Sequence, residues 1–95
     1  VLANRPGETM SAVEDLADAL AVETLAAMEE LGNDRFYSEV ARVIGASSPT
    51  LQEAFMTSVR IRLAAERGKL FVAATLKAKR EGGAAPAAPR DSSAH

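Results

Sequence analysis

The chain has no cysteine and no tryptophan, and its one histidine, His95, is the last residue. Without cysteine there is no disulfide and no thiolate metal site. His95 ends a polar tail and is assigned no catalytic or metal role. Aromatic residues are scarce, with three Phe and one Tyr. No apolar run is long enough to span a membrane, and the N-terminus lacks the basic-then-apolar order of a signal peptide. Val and Ile occur singly at helical spacing, with no alternating run of the strand type. These absences exclude the disulfide-stapled, zinc-thiolate and membrane-spanning classes. A cytoplasmic protein is the default expectation, and no nucleophile–base set or metal cluster points to an enzyme or a cofactor.

What is present is helix-forming sequence. The chain has 95 residues, 47% of them hydrophobic, and alanine, the best helix former, supplies much of that share. The expected fold is all-α, a small bundle of three or four helices. Residues 1–10 are read as a flexible leader or cloning remnant, 11–81 as the helical domain, and 82–95 as a disordered tail. The tail sequence, GGAAPAAPRDSSAH, holds no large apolar residue and cannot build a core. A core of this size is marginal alone, and oligomerisation is a common remedy.

A net charge of −2 conceals a polarised chain. From Glu8 to Glu30 there are seven acids and no base, and from Arg60 to Arg80 seven bases and one acid, Glu66. Such polarity bears on partners.

Ser11-Ala-Val-Glu14 has the form of a capping box and predicts the start of a first helix running to Leu31. Val13, Leu16, Leu20, Thr24, Met28 and Leu31 form its apolar stripe. Gly32 is a natural stop. Asn33 or Asp34 is expected to cap a second helix, with Phe36, Val40, Val43 and Ile44 buried. Gly45 ends that helix, and Ser48-Pro49 restarts the chain with Ser as N-cap and Pro at the first helical position. The third helix carries Leu51, Phe55, Val59 and Leu63 on one side. Gly68 is either a cap that separates a fourth helix ending at Arg80 or a glycine inside one long helix, at a cost of about 1 kcal/mol relative to Ala. The first option is preferred.

The stretch 38–55, SEVARVIGASSPTLQEAF, resembles the helix-turn-helix of DNA-binding regulators. Ala41 is small where the second helix must approach. Gly45 supplies a residue able to take a positive φ in the turn. Val40, Ile44 and Leu51 face a third helix, Ser47 or Ser48 caps, and Thr50 precedes Leu51 as in many such motifs. The resemblance implies that Ser47, Ser48, Thr50, Gln52 and Glu53 face the major groove. It implies that Ser48, Thr50 and Gln52 contact DNA and that Arg60 and Arg62 meet phosphate. The sequence departs from the family pattern at Glu53, where many such proteins carry Arg or Lys, and no base lies between Arg42 and Arg60. Phosphate neutralisation supplies most of the affinity for DNA, so Arg35, Arg42, Arg60 and Arg62 would have to provide it. A helix, a Gly stop and a Ser-Pro restart also make any αα-hairpin.

Three further groups stand out. Arg62, Lys69, Lys77 and Arg80 share a stripe if the last segment is one helix, either a solvated face or an acid-binding one. Glu14, Asp15 and Asp18 read as a solvated acidic face. Leu70, Phe71, Val72 and Leu76 are too apolar to stand free on a small domain, which marks Leu70, Phe71 and Leu76 as core or interface. The leading expectation is a small helix-turn-helix regulator, with DNA as a possible partner and a homodimer through the C-terminal helix. The alternative is a non-enzymatic helical interaction module that does not bind DNA. Nothing suggests a small-molecule substrate.

Overall fold

The computed structural model describes residues 6–83, with side chains from Ser11 onward. The described residues form three α-helices and no strand: α1, Pro6–Leu31; α2, Phe36–Gly45; and α3, Pro49–Arg80. The all-α expectation holds, with three helices rather than four. The expected leader lies partly outside the described residues. So does the expected tail, beyond Gly83.

Helix α1 starts at Pro6, not at Ser11. Proline suits a first helical position, because its fixed φ fits the helix and its missing N–H would have had no intrahelical acceptor. Ser11 and Glu14 therefore lie within the helix, and the expected capping box does not form. At the other end Gly32 takes φ +66°. The Gly32 and Asn33 N–H groups both donate to the Met28 carbonyl, at 2.9 and 3.2 Å. Glycine accepts this left-handed backbone without the Cβ penalty other residues pay.

Asn33 does not cap α2. Its Oδ1 accepts from the Arg35 N–H at 3.0 Å, and its Nδ2 donates to Glu39 Oε2 at 3.1 Å. That is an Asx turn leading into the helix, while the cap position itself falls to Arg35, which makes no side-chain capping bond. The turn between α2 and α3 differs from expectation in one detail. Gly45 is helical, and the only positive-φ residues described are Gly32 and Gly82. Its lack of a side chain serves packing instead, as shown below. Ser48 caps α3 as expected: its Oγ accepts from the Leu51 N–H at 3.0 Å.

Two compact units divide the chain after Arg62. In the N-terminal unit the buried side chains are Ala17, Ala21 and Thr24 of α1, Ala41 of α2, and Phe55, Ser58 and Val59 of α3. Small residues on α1 and α2 allow close approach, and Phe55 and Val59 fill the space. The expected α1 stripe holds in part: Thr24 is buried and Val13, Leu20 and Met28 are half-buried, while Leu16 and Leu31 are 62% and 60% exposed. Ala17 and Ala21, outside the expected stripe, are buried as well. Val43, expected in the core, is exposed, while Phe36, Val40 and Ile44 are half-buried.

Gly68 does not break α3, which runs through it to Arg80. A helix tolerates one glycine at about 1 kcal/mol, and Ala and Leu neighbours outweigh that. The helix ends where the N–H of Gly82, at φ +73°, donates to the Lys79 carbonyl and that of Gly83 to the Ala78 carbonyl. This is a Schellman termination. In the C-terminal unit no described residue is fully buried.

Candidate functional site

The residues expected to face DNA have separate environments. Ser48 spends its hydroxyl on the α3 cap and is half-buried. Gln52 is folded against the turn: a Cβ on residue 45 would stand 2.6 Å from its Cδ and 2.7 Å from its Nε2. Glycine at 45 is what lets this amide lie there, so Gln52 is packed rather than extended toward a groove. Thr50 and Arg60 are exposed. Arg62 is half-buried and already engaged, since its Nε donates to Ser58 Oγ at 3.2 Å.

That last bond belongs to a network with no clear sequence signal. Ser58 Oγ donates to Asp18 Oδ1 at 2.6 Å, tying α3 to α1 across forty positions of sequence. Arg62 Nη2 stands 3.9 Å from the same Asp18 oxygen. The serine is buried, whereas Asp18 and Arg62 are 54% and 39% exposed, so the ion pair itself adds little. The hydroxyl-centred bonds carry the contact, because the buried Ser58 oxygen finds both a donor and an acceptor. Asp18 thus departs from the expected solvated acidic face. A mid-helix aspartate spaced like its neighbours gives no hint of a partner forty residues away.

Beside this network lies an open groove of about 660 Å³ between α1 and the first half of α3. Three carboxylates line it, from Glu14, Asp18 and Glu53, together with the hydroxyls of Thr50, Thr57 and Ser58. Pro49, Ala54 and Ile61 add apolar surface, and Ile61 is 63% exposed. Thr50, expected to meet DNA, therefore sits in an acidic setting. Among the described residues no group of His, Cys, Asp or Glu side chains is close enough to hold a metal ion.

The interface candidates stand in the C-terminal unit. Leu70 is 63% exposed, Phe71 37%, Val72 57% and Leu76 45%. None of the four is buried among the described residues. Bases surround them: residues 63–80 hold Arg67, Lys69, Lys77, Lys79 and Arg80 against one acid, Glu66, and all six are exposed.

No described helix is long and apolar enough to cross a membrane. No family model, no curated protein and no solved structure matches the chain.

Proposed function

We propose that the protein is a non-enzymatic helical interaction module that dimerises through the second half of α3. The observation that carries this reading is the exposure of Leu70, Phe71, Val72 and Leu76 on one eighteen-residue stretch, 63–80. A cluster of large apolar side chains left exposed on a small domain marks a surface that meets another protein. A marginal core also gains most from association. Fully burying a large apolar side chain contributes about 1.5–3 kcal/mol; these four are 37–63% exposed, so about half of that remains at each, and doubled by two-fold symmetry the gain is of the size of the cost of association.

The test is sedimentation equilibrium on the full chain and on Leu70→Glu/Phe71→Glu. The wild type is expected to be dimeric at micromolar concentration, and the variant monomeric with unchanged helicity per residue. A wild type that stays monomeric would remove this reading.

A second reading keeps the DNA-binding regulator. The Ser48-capped restart after the short turn that follows α2, with exposed Thr50 and Arg60 beyond it, favours it. The acids around Thr50 and the packed Gln52 weigh for the interaction module instead. Glu53→Arg separates the two. If the α2–α3 pair docks on DNA, this change strengthens non-specific binding and steepens its salt dependence; for the interaction module, duplex DNA binding is absent before and after it.

A further inference from the structure

The basic, apolar stretch 63–80 and the acidic groove of the N-terminal unit are opposite in charge and alike in apolar content. Along α3, Glu66, Lys69, Lys77 and Arg80 follow one another at helical spacing and share a side. Leu63, Leu70, Phe71, Ala74 and Ala78 lie on another. Val72 and Leu76 run between Lys69 and Lys79. Arg67 falls within the Leu63 side, so the segment interleaves exposed apolar side chains with bases around the helix. The groove offers the counterpart: apolar Pro49, Ala54 and Ile61 with carboxylates at Glu14, Asp18 and Glu53. Asp18 is committed to Ser58 and Arg62. Among the described residues Glu14 and Glu53 have no ion-pair partner, and both are exposed.

Charge also argues against the simplest dimer, in which two copies of residues 63–80 pair with each other. That arrangement brings together two segments of the same sign, each with five bases and one acid, and like charges brought close across an interface disfavour it. The N-terminal unit is of the opposite sign, with nine acids and four bases over residues 11–62. A second copy therefore carries a surface of matching chemistry, and an exchange in which each copy gives its segment and receives the other's closes as a two-fold dimer.

We propose that the groove lined by Glu14, Glu53 and Ile61 receives residues 63–80 of a second copy of this chain. This rests on the dimer reading above and assigns the surface that the helix meets. The apolar side chains supply affinity, and the charges fix which surface is chosen and speed encounter.

The test uses two charge-reversal variants of the full chain, Glu14→Lys/Glu53→Lys and Lys69→Glu/Lys77→Glu. All four positions are exposed, and circular dichroism checks that each variant keeps its helix content. Each variant alone is expected to dimerise at least roughly tenfold more weakly than wild type. An equimolar mixture of the two is expected to form a heterodimer of near wild-type affinity, because each reversed groove then meets a reversed segment and each native groove a native one. If the groove variant alone dimerises as wild type does, or if mixing recovers nothing, the groove is not the partner surface. In that case loss of the dimer in Leu70→Glu/Phe71→Glu would leave the dimer reading standing without this one. A wild type that is monomeric throughout overturns both.

Discussion

At the scale of single residues, the glycines show how one residue type does different work. Gly32 holds a backbone at φ +66° that other residues adopt at a cost. Gly32→Ala is expected to lower stability by roughly 1–2 kcal/mol, the penalty of a Cβ in the left-handed region. Gly68 sits mid-helix, and a Cβ added there meets nothing within 4 Å. Gly68→Ala is expected to raise helix stability by about 0.5–1 kcal/mol. Urea and thermal unfolding followed at 222 nm check both, and equal signs for the two would contradict the account. Gly32 was legible in the sequence because a stop followed by Asn-Asp has few other readings. Gly68 was not, because a cap and a tolerated interior glycine look alike when both flanks are helix formers. Gly45 misled in another way. The turn suggested a conformational need, and the need turned out to be room for the Gln52 amide.

At the scale of elements, α3 is one helix with two characters. Its first half buries Phe55, Ser58 and Val59, and its second half buries nothing. Phe55 is wholly buried in a small core. Phe55→Ala is expected to cost about 3–5 kcal/mol, enough to unfold much of a domain whose total stability is of that order; a near wild-type urea midpoint would show that the core lies elsewhere. Ser58→Ala is expected to cost about 1–3 kcal/mol, because it removes the bond to Asp18 and frees Arg62. The helix order was readable from periodicity and punctuation. The share of alanine in the α1 core was not, because hydrophobicity ranks leucine above alanine and does not single out Ala17 and Ala21. Leu16 and Leu31, expected inside, are exposed.

At the scale of the whole molecule, the sequence displayed the charge polarity and the unshielded apolar cluster at residues 70–76, and the structure gives both a location. Glu14 and Asp18 of α1 and Glu53 of early α3 line one groove. The late bases are interleaved with exposed apolar residues along one helical stretch. No linear pattern showed that Glu14 and Glu53 line the same groove, since that depends on how α1 and α3 pack. On the proposed reading, residues 63–80 are covered by protein when the molecule is assembled. Amide hydrogen exchange, measured on the full chain at dilute and at concentrated protein, tests it most directly. Protection across residues 63–80 should rise with concentration, while amides around the buried Ala17, Ala21, Phe55 and Val59 stay protected at both. Equally fast exchange over 63–80 at every concentration, with the N-terminal unit protected, would contradict the claim.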